Sequence, residues 1–143
     1  MTEMVILLVE DNPDDEMLTL RALGKNNIEN RVVVARDGAE ALDVVFGSEG
    51  QKILPSLILL DLRLPKLDGL EVLSRLRSDP KTKLVPVVVF TSSDEEQDII
   101  RSFTLGANSY IRKPIDFNQY SEAIRQTANY WLKLNLSPPP QAY

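Results

Sequence analysis

Short aliphatic runs alternate with amphipathic stretches along most of the chain. The runs cover residues 5–9, 32–35, 57–60, 87–90 and, more weakly, 109–111. They are rich in β-branched residues and too short for typical helices, which favours strands. Several are apolar without alternation, so both of their faces should be buried, as in a parallel sheet covered by helices.

The segments between the runs carry apolar residues at helical spacing. They lie near residues 14–23, 39–46, 70–76, 94–103 and 117–131. Asp14 and Asp15 fit the cap and first turn of the first helix, and the fourth helix carries Ile100 and Phe103. Five β–α pairs predict an α/β fold, a flavodoxin-like doubly wound sheet of five parallel strands in the order 2-1-3-4-5.

Composition narrows the possible functions. The 143 residues suit one domain, and a net charge of −5 argues against nucleic-acid binding. The sequence has no cysteine and no histidine, which excludes disulfides, thiolate chemistry, a Ser–His–Asp triad and imidazole zinc sites. No run approaches the ~20 apolar residues of a membrane span, and the start lacks signal-peptide features, so we expect a cytoplasmic protein without membrane contact.

Polar residues follow four of the predicted strands, at their carboxyl ends. They are Glu10 and Asp11 after the first, Asp61 after the third, Thr91 with Ser92 after the fourth, and Lys113 after the fifth. These strands are neighbours in the predicted order, so the side chains should converge at the edge where such sheets bind ligands. Three carboxylates close together repel unless a cation balances them, and Mg²⁺ prefers oxygen ligands of this kind.

Together these groups predict a cradle for a transferring phosphoryl group. Asp61 ends the central strand and is best placed to be the nucleophile. Each element alone also has an ordinary explanation: a solvated strand end for Glu10–Asp11, a helix cap for Thr91, a turn for Lys113–Pro114. Their joint occurrence, each after the strand that brings it to one place, favours the functional interpretation.

Four segments resemble the receiver domains of bacterial response regulators. They are residues 8–12, 59–69, 90–93 and 106–114, and the resemblance extends from about residue 5 to 131. It implies that Asp61 is the phosphoacceptor. It also implies that Asp11 and Asp61 bind Mg²⁺ directly with the backbone carbonyl of Arg63, while Glu10 acts mainly through water.

The same resemblance assigns the groups that meet the phosphoryl oxygens. Thr91, with Ser92 beside it, and Lys113 would bind the oxygens, and Tyr110 would be a switch aromatic that turns inward as Thr91 moves. The Lys113–Pro114 bond would be cis, and Gly69 would free the backbone of the loop after the acceptor. Arg63 has two open interpretations: a group that affects phosphodonor or water at the acceptor, or a solvated loop arginine.

A closer resemblance is to the stand-alone regulators that partner bacterial phytochromes and related histidine kinases. It rests on the long connection at 47–56, on residues 64–69 and on the final helix. That helix is rich in apolar residues, which predicts a homodimer interface. The interface residues would be Phe117, Tyr120, Tyr130, Trp131 and Leu134. The alternative is that Trp131 packs on the body of its own domain.

The sequence thus predicts a receiver domain over residues 1–134 and a flexible tail over 135–143. It would accept a phosphoryl group from a sensor histidine kinase and signal by protein contact or onward phosphotransfer. We expect no conventional enzyme activity beyond self-phosphorylation and slow autodephosphorylation. The alternative is a dimeric interaction module that needs no phosphorylation. A true phosphatase or flavin carrier is disfavoured, because Arg63 stands where a phosphatase needs a second Asp and the first loop is acidic.

Overall fold

Strands and helices alternate in the computed structural model, which describes residues 4–47, 53–139 and 142. The strands are β1 Val5–Val9, β2 Arg31–Ala35, β3 Leu57–Leu60, β4 Val87–Thr91 and β5 Ser109–Arg112. The helices are α1 Pro13–Lys25, α2 Gly38–Phe46, α3 Gly69–Ser78, α4 Glu96–Thr104 and α5 Phe117–Asn129. A π-helical segment, Tyr130–Leu134, continues α5. Part of the predicted 47–56 loop, and residues 140, 141 and 143 of the predicted tail, lie outside the described residues.

The five strands form one parallel sheet in the order β2-β1-β3-β4-β5. This confirms the predicted α/β fold and strand order. The main-chain ladder continues past the strand ends into the candidate site. Asp61 N donates to Val9 O at 3.0 Å, Glu10 N to Ala35 O at 2.9 Å, and Lys113 N to Thr91 O at 2.7 Å. Because these bonds extend the sheet, the site residues have fixed positions at its carboxyl edge.

The sheet buries both faces, as the unbroken apolar runs predict. Leu7, Ile58 and their neighbours pack with α2 and α3 on one side. Ile6 and Leu59 pack with α1 and α5 on the other. Successive residues of a strand point to opposite faces, so each central strand supplies both cores. Among the described residues no helix is long and apolar enough to cross a membrane.

Helix α4 differs from its neighbours. Among the five α-helices of the described chain, it alone starts without a side-chain hydrogen bond at its N-cap. Its apolar Ile100 and Phe103 are 57% and 50% exposed, whereas Asp98 and Ser102 are buried. The inward face of α4 is therefore polar, so less apolar burial holds it on the sheet than its composition would suggest.

Candidate functional site

The structure brings the predicted acidic residues together at the carboxyl edge of the sheet. Glu10, Asp11 and Asp61 each place a carboxylate oxygen within 4.8 Å of the others. Glu10 and Asp61 are buried at 2% and 7% exposure, while Asp11 is exposed. Thr91, the last residue of β4, is fully buried beside them. One accessible and two sequestered carboxylates therefore share this edge.

Lys113 holds the acids together. Its Nζ donates to Glu10 Oε1 at 2.6 Å, to Asp61 Oδ2 at 2.8 Å and to Asp15 Oδ2 at 2.8 Å. The Lys113 side chain is only 5% exposed. The contact with Asp15 was not predicted, since its position in the first turn of α1 explains an acid equally well. The excess of acidic residues between β1 and α1 was the one sequence feature that could have pointed to this contact.

The pKa values of the two buried carboxylates diverge. Burial raises the pKa of Glu10 to about 7, and the nearby charge of Asp61 adds to this effect. Burial also acts to raise the pKa of Asp61, but the charge and hydrogen bond of Lys113 outweigh it and the net pKa is lowered. The carboxylates in turn raise the pKa of Lys113 despite its own burial. Asp61 is thus kept ionised, as a nucleophile requires.

The donor set fits a hard divalent cation. All three clustered side chains offer oxygen, with no sulfur or imidazole ligand near them. The Asp11 carboxylate is exposed, and the Arg63 N–H donates to Asp61 Oδ1 at 3.2 Å, so the backbone of Arg63 lies against the Asp61 carboxylate. An ion that keeps several waters and takes few protein carboxylates suits this open geometry.

Gly69 is needed for space beside the backbone of Asp61. A Cβ on it would stand 2.3 Å from the backbone oxygen of Asp61, closer than side-chain atoms come to backbone. Its φ lies outside the left-handed region, so the predicted reason, backbone freedom, is wrong and close approach replaces it. Gly69 N also donates to Leu62 O at 3.0 Å. The start of α3 is therefore packed directly onto the backbone of Asp61 and Leu62.

The predicted switch residues lie between β4 and β5. Tyr110 is partly buried, and its hydroxyl donates to Ser93 O at 2.8 Å. Ser92 is exposed, and Ser93 is the residue that links this loop to its surroundings. The predicted cis bond before Pro114 is wrong, since the peptide is trans. Trans is the intrinsically favoured isomer by about 0.5–1 kcal/mol, and Lys113 reaches all three acids from it.

Arg63 has a defined partner. Its Nη2 donates to Asp98 Oδ2 at 2.6 Å and lies 3.7 Å from Glu95. The Arg63 side chain is nevertheless 62% exposed and lines a cleft of about 450 Å³ that Asp11 and Arg101 also line. Asp98 was not singled out in the sequence, because an acid near a helix start is ordinary. The description of Arg63 as a merely solvated arginine is therefore incomplete.

The final helix presents fewer interface residues than its composition suggests. Tyr120 is 2% exposed, and its hydroxyl lies 2.8 Å from Thr19 Oγ1, so its assignment to a dimer surface is corrected. An apolar ring that fits the α1–α5 interior is buried there by its own domain. Trp131 packs against the same core, as the alternative predicts. Tyr130 and Leu134 are 48% and 67% exposed.

The remaining predicted interface residue, Phe117, is partly buried at the start of α5. The guanidinium of Arg21 lies 5.3 Å from the centre of its ring, and Lys25 Nζ lies 5.6 Å from it. Both cations come from α1, so side chains of the same domain already cover part of the Phe117 ring. Phe117 therefore contributes to the α1–α5 contact within the domain.

Comparison with known proteins agrees with this geometry. The sequence model for the response regulator receiver domain matches residues 6–125. The chain belongs to this family. The probable methanogenesis regulatory protein FilR2 of Methanothrix harundinacea is 42% identical over 95% of this chain and 88% of its own length. Response regulator Rcp1 of Synechocystis is 37% identical over 90% of this chain and 89% of its own.

Solved structures of phytochrome-associated regulators share the fold. The phosphorylated cyanobacterial phytochrome response regulator RcpA is 38% identical, with a TM-score of 0.88 over 96% of this chain and 100% of that one. The Mn²⁺-bound form of Rcp1 is 36% identical, with a TM-score of 0.87 over 95% and 99%. The likeness to stand-alone phytochrome-associated regulators is thus confirmed, and the acidic site is of the kind that binds a divalent metal in this family.

Proposed function

We propose that this chain is a stand-alone response regulator that accepts a phosphoryl group on Asp61 from a histidine kinase, with Mg²⁺ bound. The observation that carries the proposal is the buried Asp61 carboxylate, which Lys113 keeps ionised at 2.8 Å within a cluster of oxygen ligands. A nucleophile, a balancing cation and a hard-metal site are the parts that phosphoryl transfer requires. The phosphorylated RcpA and Mn²⁺-bound Rcp1 support the same roles by similarity.

In the proposed step, an oxygen of Asp61 forms a bond to phosphorus while the bond from phosphorus to the kinase's histidine nitrogen breaks. The ring nitrogen keeps the bonding electron pair. Lys113 and the hydroxyl of Thr91 would then stabilise the phosphoryl oxygens, with Ser92 at the rim. Glu10, Asp11, Asp61 and the Arg63 carbonyl would hold Mg²⁺, which supplies charge neutralisation at the transferring group.

We further propose a phytochrome-type kinase as the partner, since RcpA is a phytochrome response regulator and spans the same length as this chain. Output would follow through protein contact or onward phosphotransfer, with Tyr110 as the switch residue. Tyr130 and Leu134 are the exposed residues that a homodimer would bury. Sedimentation of the wild type and of a Leu134→Glu variant tests that dimer, which should weaken in the variant.

Intact-mass measurement tests the acceptor. Incubation with Mg²⁺ and acetyl phosphate should add one phosphoryl group to the wild type and none to Asp61→Asn. The matched control is Asp43→Asn, an exposed acid on α2, which should gain the group as the wild type does. Equal labelling of Asp61→Asn would exclude Asp61 as the acceptor. If beryllofluoride changes neither kinase affinity nor oligomeric state, the phosphorylation-independent interaction module is the better description.

A further inference from the structure

One buried carboxylate connects the acceptor loop to helix α4. Asp98 Oδ2 accepts from Arg63 Nη2 at 2.6 Å and from Ser93 Oγ at 2.6 Å. Arg63 lies two residues after Asp61 and donates its N–H to the Asp61 carboxylate at 3.2 Å. Asp98 itself lies in the first turn of α4, with a side chain only 10% exposed. The acceptor segment and α4 are therefore joined through Arg63, which pairs closely with Asp98 and more loosely with exposed Glu95 at 3.7 Å.

The same cluster reaches the switch aromatic. Ser93 donates its hydroxyl to Asp98, and its carbonyl accepts the Tyr110 hydroxyl at 2.8 Å. Ser93 is thus bound to Asp98 through its hydroxyl and to Tyr110 through its carbonyl. A change at Arg63 would pass to Tyr110 through two hydrogen-bonded residues.

The other ion pairs at the start of α4 join exposed side chains, Glu95 with Arg63 and Asp94 with Arg112. Ser102, its other buried polar residue, has a hydroxyl without a hydrogen-bond partner in the described part of the chain. Ile100 and Phe103 face away from the core. An element with few buried apolar contacts is free to move at low cost, so the bonds of Asp98 contribute a large share of the attachment.

A phosphoryl group on Asp61 would compete for the guanidinium. It carries a charge of about −1.5 to −2, and arginine binds such groups by paired charge-assisted hydrogen bonds. Arg63 is 62% exposed and can re-aim, whereas Asp98 is buried and cannot follow it. If Arg63 leaves, Asp98 becomes a buried carboxylate without a counter-charge, which is unfavourable and favours displacement of α4.

We propose that Asp98 is a positioning residue that holds Arg63 on α4 in the unphosphorylated protein, and that Arg63 transfers to the phosphoryl group and thereby releases α4. This exchange rests on the proposed function, in which Asp61 is the acceptor. It predicts that the charge of Asp98 opposes formation of the phosphorylated state, and that it does so only through Arg63.

A double-mutant cycle tests the exchange. Beryllofluoride affinity is measured with saturating Mg²⁺ for the wild type, Asp98→Asn, Arg63→Met and the double variant. Asparagine keeps an acceptor for Ser93 and removes the charge, so Asp98→Asn should bind roughly three- to tenfold more tightly, the range expected for an ion pair with one exposed partner. In the Arg63→Met background the same substitution should change nothing. Asp98→Glu keeps the negative charge and should bind beryllofluoride with the wild-type affinity.

Fluorine NMR of fluorotyrosine-labelled protein gives a second readout, with the Tyr110 signal assigned from Tyr110→Phe. Asp98→Asn and Arg63→Met should each move this signal toward its beryllofluoride-bound position before the mimic is added. Asp43→Asn removes an exposed acid on α2 and should alter neither readout. An equal gain in both backgrounds, or an unmoved signal, overturns the exchange. Wild type that binds no beryllofluoride overturns the proposed function instead.

Discussion

Replacing Lys113 by methionine should weaken the fold in the absence of divalent cations and strengthen cation binding. The ammonium contacts Glu10, Asp15 and Asp61 at 2.6–2.8 Å and is 5% exposed. Removing one partner of a buried ion pair costs about 3–5 kcal/mol, because the remaining charges lose their counter-charge. Protonation of Glu10 offers partial relief, so we expect a loss of about 3 kcal/mol at pH 8 and a smaller loss at pH 5.5.

The direction of the pH dependence follows from linkage. Without the ammonium, the pKa of Glu10 rises further above its value in the unfolded chain, and the pKa of Asp61 loses the charge that lowers it. The folded variant then binds protons that the unfolded chain has released, so its stability falls as pH rises through that interval. Urea unfolding in EDTA, followed by the fluorescence of the single tryptophan, measures the loss. Lys83→Met removes an exposed lysine and should leave the midpoint unchanged.

Cation affinity should change in the opposite sense. A unit charge at about 4 Å interacts with another by about 4 kcal/mol at an effective dielectric of 20, and the lysine charge repels an incoming divalent ion. Even a third of that term gives a tenfold gain in Mg²⁺ affinity. Excess Mg²⁺ at about 100 times its dissociation constant should then restore about 2.7 kcal/mol. Unchanged stability in EDTA, or weaker Mg²⁺ binding, would refute the reasoning.

Three further predictions concern stability. In EDTA the free energy of unfolding of the wild type should fall by about 3 kcal/mol as pH rises from 4.5 to about 7, because folded Glu10 keeps a proton that the unfolded chain releases. Urea titrations of Glu10→Gln should show a flatter dependence on pH. Gly69→Ala should cost about 1–3 kcal/mol of stability and lower phosphoryl uptake, because the new Cβ would clash with the backbone of Asp61. Gly24→Ala places its Cβ in open space and should be neutral or stabilising. Arg77→Met should cost about 2–4 kcal/mol of stability in urea unfolding, because its guanidinium donates to the carbonyls of Gly106 and Val85. Arg75 pairs only with Glu71 at the surface, so Arg75→Met should change stability by less than about 0.5 kcal/mol.

The sequence predicts those parts of the molecule that depend on strand ends. Each apolar run ends at a fixed point, and parallel strands bring their carboxyl ends to one edge, so the meeting of Glu10, Asp61 and Lys113 follows from order alone. The orientation of a helix does not follow in this way. In α4 Ile100 and Phe103 are exposed and Asp98 is buried, because its hydrogen-bond partners are Ser93 in the preceding loop and Arg63 in a segment distant along the chain.

Side-chain burial in the last helix escaped prediction for a related reason. Apolar spacing indicates which residues share a face of a helix, but it does not distinguish a core from a dimer surface. Tyr120 fills the α1–α5 interior because Thr19 supplies a partner for its hydroxyl. A polar contact that spans about a hundred residues leaves no trace in local periodicity, so the structure was needed to place it.

The charges at the sheet edge impose an order on the proposed reaction. Four carboxylates, those of Glu10, Asp11, Asp15 and Asp61, surround the single ammonium of Lys113, so the edge is strongly negative and repels an anionic phosphodonor. A divalent ion removes most of that charge, and phosphoryl entry should therefore follow metal binding. The phosphoryl group then restores negative charge at the edge, and Arg63, an exposed cation two residues after Asp61 that pairs with Asp98 of α4, can balance it.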